Sequence, residues 1–505
     1  GLGDVYKRQI YINMMSPSYI EHLNNIFGSS LAQSANEINI WHEKLKQAYD
    51  KSKTNSGTNI HITVMEVYVL ALYTIIAIAT FFRGDFNSEY AAEKRLNLKY
   101  LCFVSTEFYK SLFIIKKPNT LWHKLESILS IGNHADLIEI IDEVNKASSR
   151  FRIGFFSSKR RDISLHYDTD LDVVYTHLCE ISEEDEAKQI SSLLAILQPL
   201  SLVCSLYLHS EYPNGSVVTT IQQENIILKK FRKELYEKIY ELTGSNIQSF
   251  AECLDQNMKT YHLIDRPEVK DLLSADCHSR LSQFRECFKL GILLHYLYLD
   301  LGTAVRGYLR AENYYEQQLN VVRINVIIYE GYKKIFLPQG DNNQSLWVLY
   351  IKTPILGTAS IENADEAKAI EHILQNYSTN KDIENIRHHY SHFRKGKKLS
   401  IMDLWSDIIA INPITELSKA LDFLKLLGRI IRLNQPCLEY FAQKEHVTNQ
   451  QKLTAPLDDI FTKAISSRRN IEDKEKLLYL KNDIRNMILE TFDKITKAIK
   501  VNKDE

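Results

Sequence analysis

Residues 83–113 read RGDFNSEYAAEKRLNLKYLCFVSTEFYKSLF, and residues 306–336 read RGYLRAENYYEQQLNVVRINVIIYEGYKKIF. The two align without a gap at an offset of 223, with ten of 31 positions identical. The shared pairs are Arg83/Arg306, Gly84/Gly307, Glu89/Glu312, Glu93/Glu316, Leu96/Leu319, Asn97/Asn320, Glu107/Glu330, Tyr109/Tyr332, Lys110/Lys333 and Phe113/Phe336. Chance matching gives roughly one or two. Further on, Leu121-Trp122 matches Leu346-Trp347 at offset 225. The chain therefore carries one unit of roughly 150 residues twice, the kind of self-similarity that decides an architecture before any single motif does.

Apolar spacing of three and four makes each unit helical. The first reads as helices over roughly 58–84, 88–116, 119–131, 135–149 and 169–210. The second reads as 281–311, 313–336, 344–351, 364–376 and 399–434, with a further helix at 222–242 between the units. Composition agrees. Glycine (17) and proline (10) are about 5% of 505 residues, against about 12% in average usage. So few turn formers disfavour sandwiches, barrels and glycine-rich nucleotide folds, and favour long helices. The fold class expected is all-α. Its parts are an N-terminal helical segment (10–57), a first bundle (58–215), a helical connector (216–280), a second bundle (281–440) and a C-terminal helical tail (441–505). In the tail, Leu477, Leu480, Ile484, Ile488 and Phe492 mark one buried face. Residues 1–9, GLGDVYKRQ, resemble translated adapter read-through and lack the pattern of a signal peptide. They are left out of the fold reading.

The stretch 63–82 has one charge, Glu66, in 20 residues, about the length of a membrane span. Its repeat partner, 286–305, carries Glu286, Lys289, His295 and Asp300 and reads as an amphipathic helix in water. Two copies of one fold should not occupy different solvents, so 63–82 is expected to be a buried core helix and no membrane is expected. Seven scattered cysteines without a CxxC pair support neither a disulfide framework nor a zinc ribbon, and a cytoplasmic setting is expected. Arg83-Gly84 and Arg306-Gly307 read as helix ends with a C-cap glycine. Trp122 and Trp347 read as core anchors.

After its short helices each unit holds a basic, histidine-containing segment: SKRRDISLHYD at 158–168 and IRHHYSHFRK at 386–395. Aligned on histidine they give Arg161-x4-His166 and Arg387-x4-His392, at offset 226. Two Arg-x4-His segments at corresponding places in a duplicated helical unit resemble the HEPN superfamily, α-helical bundles of which many are metal-independent endoribonucleases. The residue after the arginine is polar in that family, and here it is Asp162 and His388. The second segment is also similar to a motif of RNA-guided type VI CRISPR effectors, which hold two such domains in one chain. The resemblance covers roughly 58–210 and 281–435. It implies that the two bundles pack as a pseudo-dimer in which Arg161, His166, Arg387 and His392 converge on one cleft. Spacing alone implies no such convergence, since residues i and i+5 lie about 140° apart on a helix. Family members regulated by modification of a tyrosine two residues after the histidine are not matched here, where those positions are Asp168 and Arg394.

The chemistry suits these residue types. RNA carries its own nucleophile, the 2′-hydroxyl. Cleavage takes a proton from it, gives one to the 5′-oxygen and steadies charge at phosphorus. Histidine transfers protons near neutral pH, and the arginine guanidinium meets phosphoryl oxygens in a fixed fork. No metal or cofactor is required, and the ends left are a 2′,3′-cyclic phosphate and a 5′-hydroxyl. Arg394, Lys395, Lys397 and Lys398 flank the second segment and would attract RNA, whereas Asp168, Asp170 and Asp172 follow the first and would repel it. The second unit is therefore the favoured catalytic copy. Glu107 and Glu330 read either as orienting acids for the motif arginines or as solvated surface residues. His388 and His392 share the i, i+4 spacing of a metal pair, but no His-Glu-x-x-His pattern or carboxylate partner completes a site, so no metal is assigned. Arg161 and His166 also suit a plain helix start.

The function expected is a metal-independent endoribonuclease of bacterial anti-phage defence or stress response. Its partners would be an RNA substrate, a guide or regulatory RNA, and an antitoxin or activator protein. Two alternatives stand: a compact RNA-guided effector, and an inactive scaffold binding RNA, nucleotide or protein. The net charge of −1 excludes binding by bulk positive charge and ranks the guided effector second.

Overall fold

The computed structural model describes residues 17–54, 60–114, 120–131, 135–151, 183–212, 226–264, 275–338, 344–357, 360–374, 394–395, 398–399, 401–442, 461–462, 466 and 474–486. These form an all-α protein: α1 (Pro17–Thr54), α2 (Ile60–Phe86), α3 (Ala91–Tyr109), α4 (Leu121–Ile131), α5 (Ala135–Arg150), α6 (Glu183–Glu211), α7 (Ile226–Ile264), α8 (Ala275–Arg310), α9 (Tyr314–Phe336), α10 (Thr353–Gly357), α11 (Ile361–Leu374), α12 (Ile401–Ala410) and α13 (Pro413–Ala442). Short π-helical turns follow α3 at Lys110–Ile114 and precede α10 at Val348–Lys352. The strand pair seen among the described residues is a two-residue antiparallel ladder, Arg394–Lys395 against Lys398–Leu399.

In each repeat the first long helix packs on the second, α2 on α3 and α8 on α9. Helix α1 lies along α2, α7 along α8, and α13 across α8 and α9. The described part of the connector is one 39-residue helix, α7, far longer than the 222–242 expected. The expected helix 399–434 is two, because Asn412 takes the Ile414 N–H at 3.1 Å and Pro413 opens α13. Asparagine at N-cap with proline at N1 starts a new helix. Leu477 and Ile484 of the tail are buried as their spacing predicts, while Ile488 and Phe492 lie outside the described residues.

Among the described residues two helical stretches, His61–Phe86 and Lys188–Glu211, are long and apolar enough to cross a membrane. In the first, 83% of the apolar window is buried inside the protein, with Val67, Leu70, Tyr73 and Ile76 fully covered on different sides. Its partner stretch departs from the amphipathic reading. His295 and Asp300 are buried, and they are accommodated from within. Lys99 donates to Asp300 at 2.8 Å, and the His295 Nδ1 lies 2.7 Å from the Gly291 carbonyl.

Burial lowers the His295 pKa from 6.5 to about 4, with the Gly291 bond opposing. A depressed histidine pKa means that below pH 6.5 the unfolded chain takes up a proton the folded chain refuses. The associated stability is present above pH 6.5 and is lost as pH falls toward 4, on the order of 3 kcal/mol in all. The difference in urea stability between the native protein and His295→Leu, followed from pH 7 to pH 4.5, should therefore shrink as pH falls. A difference that stays flat over that window would show that His295 is not held neutral.

Candidate functional site

Of the motif side chains, Arg161, Asp162, His166, Arg387, His388 and His392 lie outside the described residues, as does Lys397. Arg394, Lys395 and Lys398 are described as strand backbone only. The geometry that can be built is that of the repeat surrounding them.

The conserved-by-repeat charges cross from one unit to the other. Arg306 donates from Nε to Glu93 Oε1 and from Nη2 to Glu89 Oε2, each at 2.6 Å. Arg83 makes the mirror contacts, with Glu316 and Glu312. Positions 83 and 306, 89 and 312, and 93 and 316 all differ by 223, so the partners are exchanged as they are across a two-fold axis. Each inner acid also caps its own helix. Glu93 accepts the Glu89 N–H at 2.7 Å, and Glu316 accepts the Glu312 N–H at 2.9 Å. One carboxylate thus starts a helix and clasps the other repeat, which accounts for its presence in both.

The glycines belong to the same device. Gly84 and Gly307 lie inside α2 and α8, which run two or three residues past them, so the C-cap expectation is corrected. A Cβ at 84 would sit 2.9 Å from the Asn97 amide, and one at 307 would sit 2.5 Å from Asn320 Oδ1. Only glycine lets the paired helices approach with those asparagines between them.

The two clasps are unequal. Arg310 reinforces the Arg306 side, reaching Glu93 at 3.2 Å and Glu89 at 3.5 Å, and Arg306 lies 3.6 Å over the Tyr240 ring. The repeat counterpart of Arg310 is Asn87. Burial pushes the Glu89 carboxyl up, but the Tyr240 hydroxyl, Arg306 and Arg310 outweigh it and hold it below its ordinary value. At Glu316 burial prevails over Arg83, and the carboxyl titrates above its ordinary value.

The repeats also agree beyond the clasps. Phe113 meets Trp122 at 5.8 Å, and Phe336 meets Trp347 at 5.7 Å. The Trp122 indole donates to Asn145 at 2.8 Å, and the Trp347 indole donates to Glu371 at 3.2 Å. Positions 145 and 371 differ by 226, the offset that aligns the two Arg-x4-His segments. Glu107 and Glu330 are buried, which corrects the solvated reading, since a carboxylate leaves water only against a donor or a cation. Glu107 lies two residues before Tyr109, whose hydroxyl donates to the Ser148 carbonyl at 3.0 Å and whose ring stacks on Phe151 at 4.8 Å. Arg161 follows Phe151 by ten residues. Among the described residues no group of three or more His, Cys, Asp or Glu is placed to hold a metal.

The chain matches no family model, no curated protein and no solved structure. Its own internal repeat is thus the comparison that carries the site. Between the clasps lies a cavity of about 390 Å³ lined by Thr80, Gly84, Glu93 and Asn97 and by their counterparts Thr303, Gly307, Glu316 and Asn320, with Arg83, Arg310 and Arg323. Sequence reading missed it. The signal was present as Thr80/Thr303, an identity three residues upstream of the aligned block, inside a stretch dominated by its apolar character.

Proposed function

We propose that the protein is a metal-independent endoribonuclease built from two HEPN-like units, with Arg387 and His392 as the leading pair and Arg161 and His166 joining them. The observation that carries the reading is the pair of Arg-x4-His segments standing in register with a repeat whose units exchange partners reciprocally. Support comes from the indole bonds at offset 226 upstream of the two segments, and from buried acids, Glu107 and Glu330, at matched positions of the repeat. In this reading the whole units pack as a pseudo-dimer, the motif histidines move the protons, the arginines hold the scissile phosphate, and Glu107 and Glu330 orient the arginines. The basic residues Arg394, Lys395, Lys397 and Lys398 guide RNA to the second unit. Its setting would be bacterial anti-phage defence or stress response in the cytoplasm, under a regulatory RNA or protein.

The test is labelled single-stranded RNA incubated with purified protein in excess EDTA. Cleavage that persists, leaving 2′,3′-cyclic phosphate and 5′-hydroxyl ends, is the expected result. Intact RNA, or 5′-phosphate ends, would sink the reading. Retained RNA binding with no cleavage would point to a scaffold instead.

A further inference from the structure

Helix α12 lies in the second unit by sequence, yet its anchor is set in the first half of the chain. Trp405 is 1% exposed. Its indole N–H donates to the Asn39 side-chain carbonyl of α1 at 3.1 Å, and Tyr73 of α2 meets its ring edge-on at 6.4 Å. One residue on, the Ser406 hydroxyl and Nε2 of the buried His42 lie 3.2 Å apart. From its own unit, Tyr315 stacks on Trp405 at an interplanar angle of 12°, and the Tyr315 hydroxyl accepts the Asn39 amide N–H. Both ends of the Asn39 carboxamide are therefore spent on the second unit. A buried indole needs a partner for its N–H, but packing alone does not require that the partner come from the other half.

What the anchor holds follows from chain order. Arg394 stands two residues after His392, the ladder ends at Leu399, and α12 opens at Ile401. The C-terminal flank of the second Arg-x4-His segment thus leads straight into a helix that the first half grips. The far end of α12 is fixed by α9, where Tyr314 donates to the Ile409 carbonyl at 3.2 Å and Gln318 to the Ile411 carbonyl at 3.1 Å. At the repeat offsets of 223 and 226, Tyr315 answers to Ala92 and Trp405 to Cys179. The aromatic pair therefore belongs to the second unit, and the corresponding positions of the first hold small residues. We infer, on the ribonuclease reading above, that α12 is a strap that positions the second segment against the first half, with Trp405 and Asn39 as positioning residues. Seating the strap fixes where the second segment stands relative to the first unit, as a cleft built from both units requires. The favoured copy is in this way made dependent on the other half of the chain.

The test uses the full chain, with hydrogen exchange read in the peptides 386–400 and 158–168 beside steady-state cleavage of one RNA. In Asn39→Leu and in Trp405→Phe, exchange in 386–400 should rise by at least about threefold while 158–168 stays unchanged. The same variants should lose about tenfold in kcat with KM held within about twofold, the mark of a displaced catalytic group instead of a lost binding contact. Asn39→Asp should behave as the native protein in both measurements, because a carboxylate of the same shape accepts the indole N–H and the Tyr315 O–H. Tyr236→Phe removes a comparable bond between α7 and α8, the one to the Tyr308 hydroxyl at 3.0 Å, and should leave 386–400 as it was. Unchanged exchange in 386–400 for Asn39→Leu overturns the strap. So does equal loosening by Tyr236→Phe, or a loosened segment that cleaves at the native kcat. Native protein that cuts no RNA sinks the ribonuclease reading, and the exchange comparison still decides whether α12 holds the segment.

Discussion

Replacing Arg306 with alanine is expected to lower the stability of the protein by about 3–5 kcal/mol, the cost of stripping one partner from a buried ion pair. Arg306 and Glu93 are 1% and 2% exposed at their side chains. Removing the guanidinium leaves the carboxylate facing Arg310 alone, and also vacates the Tyr240 carbonyl that Arg306 Nη1 reaches at 2.6 Å. Arg306→Lys should recover little, because an ammonium cannot address Glu93, Glu89 and a carbonyl in one plane. Arg83→Ala should cost less. Its outer partner, Glu312, is 74% exposed, and Glu316 takes a proton more readily than an ordinary carboxyl. Urea unfolding followed by tryptophan fluorescence would measure the series. Equal losses for Arg306→Ala and Arg83→Ala would show that the clasps are not energetically distinct.

Under the proposed ribonuclease reading, His392→Ala should reduce RNA cleavage by at least about a hundredfold, the lower end of what positioned acid–base catalysis contributes. His166→Ala should reduce it less, because the acids at 168, 170 and 172 follow the first histidine while the second is flanked by cations. Arg387→Lys should also fail, since a point charge does not replace a fork on a phosphoryl group. Single-turnover rates on one RNA, with each variant's melting curve as a folding control, decide the ordering. If His392→Ala cleaves at the native rate, the motif assignment is wrong.

Much of the helical architecture was legible because apolar spacing encodes which face of a helix is covered. It does not encode what covers it. Arg83, Glu89 and Glu93 were visible as repeated identities, yet their true partners lie more than 200 residues away, and no local pattern names them. Gly84 and Gly307 were misread for the same reason. A glycine near a helix end and one that admits a neighbouring asparagine look alike in sequence. His295 and Asp300 looked solvated because charge usually means water, whereas here Lys99 and a backbone carbonyl replace it. The break before Pro413 was readable from Asn412-Pro413 and was overlooked within a strongly apolar run. The motif residues were singled out through the repeat, which supplied a second copy to compare, and they lie outside the described residues.

Tyr100 and Arg323 occupy the same position in the two repeats, and they touch each other, the guanidinium 4.7 Å from the ring centre. In an assembly of two identical chains, a residue at such a place meets its own twin. Tyrosine would then face tyrosine, or arginine would face arginine with like charges in contact. A single chain carrying both units is released from that rule. It can place a cation against an aromatic face there, and away from the axis it can make an ion pair once instead of twice, Lys99 with Asp300, while the counterparts Val322 and Ala77 stay apolar. Joining the units thus opens to selection a class of unlike pairs at the axis that no homodimer can reach, and lets one half specialise while the other holds it in place.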